Sequence, residues 1–534
     1  MKAWQRTTAV VAAVALGAAL AYVPALEGDW VWDDANLVQP SPALQDLRGL
    51  GRAVTADLYR QAAPRLEASP YWRPLALASF WLDTRLGYAP RALHLGNVVL
   101  HALAAALLAL VLLRRHRDAP GPAGLVAPAL AAAWWALHPV NVEPVAWISC
   151  RYDLLTGVAL LGLLALPWRP GWRRAAAFGL LFLAGLLSKD GFAALLLVVL
   201  VMDWADRRPA AAAAPRWIAI ALALGAWWGA RAALGIPGFD LPGAQILAEL
   251  PVRYLDVVGI YFRRALVPAS LTISHPYAPG LAGVATGAVV VLLLVVAAIR
   301  RRRLAMPAAV FLAGLAPAAI ATARFGEIPE RYFYVPAIGL ALLGAELVAA
   351  CMAAGRPAVR WIAPAVVALA TARGIVLVEA RLPDWRTDDA LFEAALRVNP
   401  EDPQANLHAG IRATRSRQWG EARRALEIAQ RADPSSARVA SAYAWALLQT
   451  GDVAGAVREA ARATTLAPYQ PDPWWALALT RHQAGDHQGE LSAIDELLEL
   501  SPDYPGARPA RALAACEVSG RADCVEAARA GTLR

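Results

Sequence analysis

Charged residues are scarce in this chain, and this scarcity is the first constraint on its class. They make up 17% of the 534 residues, against 58% hydrophobic residues, whereas soluble domains carry about 25% charged residues. Several apolar runs approach the roughly 20 residues that cross a hydrocarbon core. An ordinary soluble globule is therefore excluded, and the composition predicts a multi-pass protein of a lipid bilayer.

Motifs of soluble nucleotide chemistry are also missing. The sequence has no glycine-rich phosphate loop, no nucleophile elbow and no zinc-binding motif. Its net charge of +9 would suit nucleic acid, but the arginine clusters fall between apolar runs, as orientation signals do. We therefore expect neither a soluble ATP or nucleotide-sugar enzyme nor a nucleic-acid-binding protein.

Cysteine is rare, with four in the whole chain. Cys150 and Cys351 fall in or beside apolar runs, where a thiol behaves as a small apolar side chain. Cys516 and Cys524 fall on facing predicted helices near the carboxyl end. They can form a disulfide if that end lies outside the cytoplasm; alternatively, Cys524 fills a small-residue position between helices.

Apolar runs and basic loops together predict eleven spans. Residues 7–26 run long for a signal peptide and lack a convincing cleavage site, so we expect a permanent first span. Arginines after the even-numbered spans mark the cytoplasmic side, and the odd count puts the carboxyl-terminal third outside. Residues 253–268 are expected to form a surface or re-entrant helix on the outer side. The other ten spans are predicted at 92–113, 122–137, 145–166, 174–187, 191–204, 216–234, 281–299, 304–322, 332–353 and 361–379.

The last third differs in composition and repeats. Prolines at 400, 434, 468 and 502 recur every 34 residues, the period of tetratricopeptide repeats. Small or apolar residues recur at the helix-contact positions of that repeat: Gly410, Ala422, Leu426, Ala429, Tyr443, Gly451, Ala456, Ala460, Ala463, Trp474, Leu477, Gly485 and Ile494. We therefore predict an all-α protein. It has a membrane helical bundle at 1–383, with its first outer loop at 27–91, and a tetratricopeptide-repeat α-solenoid at 384–534 with a concave face for a peptide or protein partner.

Ionisable residues predicted on the outer face are the candidates for chemistry, because charges in or near a bilayer are costly. Trp32-Asp33-Asp34 follows the first span, and two adjacent acids suit a cation, an acceptor hydroxyl or a proton. Both signs of charge occur on this side. The other candidates there are Arg73, His138, Glu143, Arg151, Asp153, Lys189, Asp190, Glu330 and Arg331. His94, Asn97 and His101 share a face of span two, where we expect helix–helix hydrogen bonds rather than a metal site.

Several sequence blocks occur in a fixed order: Trp32 to Asp34, Tyr71 to Leu75, His94 to His101, Leu137 to Leu155, Ser188 to Asp190 and Pro329 to Pro336, then the repeats. In this order they resemble the transmembrane and tetratricopeptide-repeat O-mannosyltransferases and their bacterial relatives, members of the GT-C glycosyltransferase superfamily. The resemblance covers nearly the whole chain, and the block from Leu137 to Leu155 is its most specific part. One departure is Asp190, where the family usually has glutamate.

The resemblance implies a membrane glycosyltransferase that moves a sugar such as mannose from a polyprenyl-phosphate donor to a hydroxyl, with inversion, at the outer membrane face. The implied acceptor is Ser or Thr of a protein. The implied general base is a carboxylate of the first outer loop, Asp33 or Asp34. Because adjacent acids titrate as a pair, the choice between the two is left open. No cofactor is required by the motifs, and a divalent cation at Asp33 and Asp34 is the alternative left open. For the donor phosphate, the implied ligands are Arg151, Arg331, Lys189 and Arg73, in that order; His138, Glu143, Asp153 and Glu330 would support the site or contact the sugar.

Other functions stay open at this point. A GT-C transferase acting on a glycan or lipid is the nearest, followed by a lipid-linked-sugar transporter and a repeat-bearing scaffold that catalyses nothing. Transporters usually show repeat symmetry of their spans, and none is clear here. The high alanine, arginine and proline content favours a bacterium, which predicts an inner-membrane protein with its repeats in the periplasm.

Overall fold

The computed structural model describes residues 3–39, 41, 44, 47–62, 69–87, 89–167, 171–239, 243–273, 275–354 and 357–529. Within these residues the chain is all-α, and its one β pairing is an isolated bridge between Pro276 and Glu327. It divides into two compact units, residues 1–391 and residues 392–534. The composition change alone suggests a division near residue 383.

The first unit begins with one long helix followed by the short helices of the first outer loop. These are α1 (Ala3–Ala21), α2 (Asp34–Leu37), α3 (Leu47–Thr55), α4 (Leu58–Ala62) and α5 (Pro74–Asp83). Apolar side chains of this loop, including Val38, Leu44 and Leu77, form a buried cluster with Leu93 and Ile148. The loop is therefore packed onto the helical bundle and positions residues near its start.

The bundle consists mostly of long apolar helices. They are α6 (Pro90–Arg115), α7 (Ala123–Ala136), α8 (Val142–Ala146), α9 (Arg151–Ala165), α10 (Trp172–Ser188), α11 (Leu196–Ala205), α12 (Ala210–Ala233), α13 (Ala244–Leu266), α14 (Leu281–Arg300), α15 (Ala305–Phe325), α16 (Tyr334–Met352), α17 (Pro357–Arg360) and α18 (Ile362–Arg381).

Eight helices of the described chain are long and apolar enough to cross a membrane, or nine if the bent pair at 123–136 and 139–146 is one span. The chain is thus a multi-pass membrane protein. The sequence predicts eleven spans, and a helix lies at each predicted position. The difference lies in helix length: α10 has 17 residues and α11 has 10, because a short 3-10 segment (Asp190–Leu195) interrupts the chain between them.

Glycines allow helices of the bundle to approach closely. A Cβ at Gly259 of α13 would lie 2.1 Å from the carbonyl oxygen of Gly283 in α14, and a Cβ at Gly157 of α9 would lie 2.6 Å from the ring of Tyr334. Such contacts leave no room for any side chain. In a membrane, where lipid is as apolar as leucine, close packing of this kind drives helix association.

Between α7 and α9 the chain is folded into short helical turns that are buried throughout. Pro139 and Pro144 interrupt regular helix here, so backbone groups need other partners. The Asn97 amide of α6 donates to the carbonyls of Val145 (3.2 Å) and Trp147 (3.0 Å). Non-helical backbone at membrane depth is tolerated only with such internal satisfaction, and here it holds the block from Leu137 to Leu155 rigidly.

The carboxyl-terminal part is a stack of antiparallel helix pairs preceded by α19 (Asp388–Val398). The pairs are α20 (Pro403–Arg415) with α21 (Trp419–Ala432), α22 (Ala437–Gln449) with α23 (Val453–Leu466), α24 (Pro471–Gln483) with α25 (His487–Leu500), and α26 (Ala507–Ser519) with α27 (Ala522–Arg529). The helices α21, α23 and α25 begin 34 residues apart, as the proline period predicts.

Most of the small residues predicted at helix contacts of the solenoid are buried. Ala422, Leu426, Ala460 and Ile494 are all fully enclosed, and Gly410 lies directly against the side chain of Leu426. Gly451 and Gly485 have another role, because both adopt positive φ at the turns before α23 and α25. The prolines of the 34-residue period lie in the turns before α20, α22, α24 and α26, outside regular helix.

Candidate active site

The two adjacent aspartates of the first outer loop lie in different environments. Asp34 is fully buried. Its Oδ1 accepts a hydrogen bond from the backbone N–H of Ser149 at 2.8 Å and another from the Ser149 hydroxyl, and its Oδ2 accepts from Val31 N–H at 3.2 Å. Burial raises the pKa of Asp34 to about 7, although the Ser149 hydrogen bonds oppose the increase. Asp34 therefore links the loop to the bundle.

Asp33 is half-buried and immediately precedes the short helix α2. Its neighbour Trp32 has a left-handed backbone conformation, with φ of 56°, which costs a non-glycine residue about 1–2 kcal/mol. Two contacts hold it there: its ring stacks on Trp147 at 4.8 Å, and its backbone N–H donates to Asp388 at 2.6 Å. These two contacts hold Trp32 in place immediately before Asp33.

Arg331 and Glu143 form a buried ion pair beside these tryptophans. Nη1 of Arg331 lies 2.6 Å from Oε1 of Glu143, and the backbone N–H of Arg331 donates to the other carboxylate oxygen at 3.0 Å. The guanidinium lies 5.2 Å from the ring of Trp147 and 5.8 Å from that of Trp32. A cation is thus fixed next to the segment that carries both aspartates.

Glu330 and His138 have supporting positions. Glu330 is fully buried and pairs with Arg381 at 2.8 Å, with His275 3.6 Å away. His138 accepts from Val140 N–H and contacts the Ala265 carbonyl at 3.2 Å. Arg381 lies on α18 and Ala265 on α13, so Glu330 and His138 each tie their own segment to a more distant helix.

Lys189 and Asp153 form a second ion pair on the other side of Tyr332. The Lys189 ammonium lies 2.5 Å from Oδ1 of Asp153 and 4.5 Å from the centre of the Tyr332 ring. It also faces Tyr152 at 5.5 Å. A small cavity is lined by Lys189, Asp153, Tyr332 and Thr156 among others. Because Tyr332 follows Arg331 in sequence, the two cations share one aromatic wall.

Arg73 is a buried cation without a close acid. Its guanidinium stacks 3.8 Å over Tyr152 and 5.0 Å over Tyr71. Within the described residues no carboxylate lies within 4.0 Å of it, and its Nε has no hydrogen-bond partner. Asp153 and Asp190 act on it from farther away. A buried charge in this condition is costly unless a ligand supplies the partner.

Arg151 has a position that differs from the one we expected. It is 1% exposed, and its nitrogens donate to the Asn97 side chain at 2.7 Å, to Asp83 and to the Leu93 carbonyl. All three nitrogens are thus occupied by partners on neighbouring segments, because α9 packs against α6. This geometry assigns Arg151 to fixing helices, although the resemblance ranks it first for donor phosphate.

Asp190 replaces the glutamate usual in the resembling family and pairs with Arg231 of α12 at 3.0 Å. Arg231 also donates to the carbonyls of Pro70 and Pro237. Burial raises the pKa of Asp190, and Arg73 and Arg231 oppose the increase. The short carboxylate therefore has a partner suited to its reach.

Three of the predicted site residues, Arg73, Lys189 and Arg331, are joined by contacts with aromatic rings. Arg73 lies over Tyr71 and Tyr152, Lys189 faces Tyr152 and Tyr332, and Arg331 lies near Tyr332 and Trp32. Tyr71 meets Tyr59 edge-on, and burial and the charge of Asp33 raise the pKa of Tyr59. Three cations thus alternate with aromatic rings around the segment that bears the acids. The lining resembles an anion site with apolar walls.

Sequence reasoning missed the aromatic residues of this lining and the partners Arg231, Arg381 and Asp388. Tyr71 and Tyr332 lie inside the recognised sequence blocks, beside Arg73 and Arg331, so a tyrosine next to each arginine was an available signal. Arg231 lies in a predicted span, where a charge marks a partner inside the bundle. No sequence signal marks Asp388, because it lies in an acidic stretch of the kind usually found on exposed surfaces.

A metal ion at the two aspartates stays a prediction. Among the residues that the structure describes, no third His, Cys, Asp or Glu joins Asp33 and Asp34 in a group with metal-binding geometry. On span two, His101 contacts the Ala136 carbonyl at 2.9 Å and the Tyr334 hydroxyl at 3.0 Å. Asn97 and His101 thus make contacts of the kind expected for that face, whereas in the described structure His94 makes no hydrogen bond to another helix.

Comparison with known proteins gives relatives in one class. No protein-family model matches the chain. It is 31% identical over 194 residues to protein O-mannosyl-transferase Tmtc2 of Drosophila melanogaster, covering 34% of this chain and 20% of that protein. It is 25% identical over 211 residues to protein O-mannosyl-transferase F38B6.6 of Caenorhabditis elegans (38% and 29%), and 28% identical over 166 residues to human protein O-mannosyl-transferase TMTC4 (28% and 21%).

The chain is related to these O-mannosyl-transferases. The matches span less than a third of the length of each relative. Among solved structures, a crystal structure of MamA is 18% identical with a TM-score of 0.25, covering 29% of this chain and 91% of MamA. The APC/C heterotetramer Cut9–Hcn1 is 13% identical with a TM-score of 0.26, covering 82% and 93%. At such scores the likeness bears on neither fold nor function.

Proposed function

We propose that this protein transfers a sugar from a polyprenyl-phosphate carrier to a serine or threonine hydroxyl of a protein, at the outer face of the membrane. The O-mannosyl-transferase relatives support the sugar-transfer class and favour mannose. The observation that carries the proposal is Arg73, a buried guanidinium with no carboxylate within 4.0 Å among the described residues. A donor phosphate supplies the missing anion.

In the proposed reaction, Asp33 is the general base. As the acceptor oxygen forms its bond to the anomeric carbon, the hydroxyl proton passes to the Asp33 carboxylate and the bond from carbon to phosphate oxygen breaks. Inversion follows from a single displacement. Asp33 suits this role better than Asp34, because a base must be reachable and the oxygens of Asp34 already accept three hydrogen bonds.

The departing polyprenyl phosphate gains negative charge, which fixed cations stabilise. Arg331 and Lys189 each have one acid partner, whereas Arg73 has none at that distance. We therefore reorder the phosphate ligands as Arg73, then Arg331 and Lys189, with Arg151 as a positioning residue. The tyrosine faces between the cations suit the apolar side of a sugar ring and exclude water.

Membrane orientation forms part of the proposal. Cys516 and Cys524 are bonded to each other in the structure, and disulfides persist in oxidising compartments. The bridge, together with the basic loops after the even-numbered spans, supports a solenoid outside the cytoplasm. In a bacterium this is the periplasm, with the protein in the inner membrane.

The test compares purified variants supplied with labelled polyprenyl-phosphate mannose and a serine- and threonine-rich peptide. We expect Asp33→Asn to reduce transfer by about 10²-fold or more, with donor binding retained. Asp118→Asn, on an exposed loop predicted in the cytoplasm, is the matched control and should transfer normally. Full transfer by Asp33→Asn would remove this assignment, and loss of transfer in Asp34→Asn alone would move the role of base to Asp34.

A second comparison tests the phosphate site. Arg73→Gln should weaken donor binding and lower the transfer rate by roughly 10²-fold or more, while Arg73→Lys should restore part of it because the charge returns. Arg48→Gln, an exposed arginine of the same loop, is the control. Donor lipid that crosses the membrane without sugar transfer would instead identify a transporter, and sugar found on a glycan or lipid would identify the other acceptor class.

A further inference from the structure

Four side chains of the solenoid meet at one point, far in sequence from the candidate active site. They are His482 on α24, His487 and Glu490 on α25, and Glu517 on α26. One potential ligand atom from each lies within 4.8 Å of all the others. Nδ1 of His482 is 2.9 Å from the Glu490 carboxylate, and Nδ1 of His487 is 2.9 Å from that of Glu517.

The cross distances complete the arrangement. His487 lies 3.4 Å from Glu490, and His482 lies 3.7 Å from Glu517. A tetrahedral zinc ion with nitrogen and oxygen ligands about 2.0–2.2 Å away separates neighbouring ligand atoms by roughly 3.3–3.6 Å. The four nitrogen–oxygen separations bracket this value, so a small ion fits at their centre with little movement of the side chains.

The charges of this cluster also favour a bound cation. The Glu490 side chain is 5% exposed and that of Glu517 is 10% exposed. In the described chain, no lysine or arginine lies within 4.0 Å of the Glu490 carboxylate, and the basic groups beside it are the imidazoles of His482 and His487. Neutral imidazoles leave a nearly buried negative charge without compensation, which is costly. A divalent cation coordinated by all four groups removes that cost.

We propose that His482, His487, Glu490 and Glu517 bind one zinc ion that joins α24, α25 and α26 of the solenoid. Two nitrogen and two oxygen donors in a compact tetrahedral set suit Zn²⁺, whereas Ca²⁺ takes six to eight oxygens and Mg²⁺ prefers octahedral oxygen ligands. Both histidines are about one-third exposed, which gives the ion a path in from solvent.

The place of this site indicates a structural role. It connects α24, α25 and α26, and Glu517 directly follows Cys516, whose disulfide holds α26 to α27. Metal and disulfide together fasten four consecutive helices, α24 to α27, which in a solenoid are held only by their neighbours. This inference does not depend on sugar transfer.

The experiment uses the full-length protein in detergent, purified without a polyhistidine tag. After exposure to ZnCl₂ and dialysis, we expect about one zinc per chain by elemental analysis. Substituted Co²⁺ should give the visible absorption bands of a tetrahedral site, and added zinc should raise the midpoint of thermal unfolding in a concentration-dependent way. Calcium chloride at the same concentration should neither leave one bound ion per chain nor raise the midpoint of thermal unfolding.

Variants assign the ligands. Glu490→Gln and the double change His482→Ala with His487→Ala should each weaken zinc binding at least tenfold, the lower end of losses seen for outer-shell changes. Glu499→Gln, an exposed residue of the same helix, should bind zinc normally. The proposal is overturned if the unmodified protein retains no zinc and shows no cobalt bands, or if the cluster variants bind as tightly as the Glu499→Gln protein.

Discussion

Asp33 and Asp34 show how two identical side chains acquire different chemistry from their surroundings. Asp34 is enclosed and accepts three hydrogen bonds, whereas its neighbour is half-buried. Of the two, Asp34 is the one whose side chain accepts hydrogen bonds from Ser149 and Val31, while Trp32 before them has a left-handed backbone conformation. Pairs of acids whose environments separate their proton affinities are a common way to divide positioning from proton transfer.

The proton affinity of Asp34 predicts how stability depends on pH. Burial raises its pKa to about 7, while an unfolded aspartate titrates near pH 4. The native protein therefore holds the proton more tightly, and this contribution to stability is full below about pH 4 and is lost as the pH rises through about 7. We expect the unfolding midpoint in detergent to fall between about pH 5 and pH 8, and to fall less for Asp34→Asn.

The control for this measurement is Asp33→Asn, which leaves the buried carboxylate in place and should keep most of the decrease. An equal decrease in the unmodified protein and in Asp34→Asn would show that Asp34 is already ionised in the native protein at pH 5. In that case the buried acid would be a permanent charge.

At this scale the sequence identifies which residues are chemically unusual but not which partners they take. Arg73, Lys189, Arg331 and the aspartates all stand out in the sequence, and contacts with aromatic rings join the three cations. Arg151 ranks first for phosphate by resemblance, yet Asp83 and Asn97 occupy it. A partner 54 or 68 positions away depends on how helices pack, and no local pattern encodes that.

At the scale of elements, the solenoid turns repeat with one exception. Positions 417, 451 and 485 occupy equivalent turns and all have positive φ, but the first is arginine and the others are glycine. A left-handed conformation costs a non-glycine residue about 1–2 kcal/mol. Glycine avoids this cost, but it loses more conformational entropy on folding, which offsets part of the gain. The side chain of Arg417 is exposed and contributes little stabilisation to offset this cost.

We therefore expect Arg417→Gly to stabilise the solenoid by up to about 1 kcal/mol, and Gly451→Ala to destabilise it by a similar amount. For a unit of this size the corresponding shift in melting midpoint is about 2–4 °C. Circular dichroism of the full-length protein during heating measures it. A lower midpoint for Arg417→Gly would mean that the arginine makes a stabilising contact in solution.

Helix positions were predictable because apolar runs and the 34-residue period are local signals. Helix ends were harder to predict from the sequence. The interruption at Asp190–Leu195 and the buried turns before α9 follow from backbone partners such as the Asn97 amide, which composition does not reveal. For that reason fewer helices meet the length of a span than the eleven predicted.

At the scale of the whole molecule, residues 384–391 belong to the membrane unit. Asp388 accepts the Trp32 N–H, and Trp385 is 2% exposed and lies 6.3 Å from the Trp147 ring. A shortened chain without the repeats must retain these residues. The composition change instead suggests a boundary at Pro383, where the proline-rich membrane sequence gives way to acidic helix.

Two truncations should therefore behave differently. A chain that ends after Asn399 keeps α19, and we expect it to bind donor lipid normally while its KM for the peptide acceptor rises, because the proposed acceptor surface is lost. A chain that ends after Pro383 should lose donor binding as well and melt at a lower temperature. Donor-lipid binding and peptide kinetics in detergent measure both, and identical behaviour of the two chains would contradict the role given to Trp385 and Asp388.

The hydrogen bond between Trp32 and Asp388 joins residues 356 positions apart. During synthesis, the aspartates leave the ribosome long before their anchor exists. Until Asp388 has been made, the segment that carries the two aspartates lacks this hydrogen bond. Premature release at any earlier point yields a fragment that lacks this anchor.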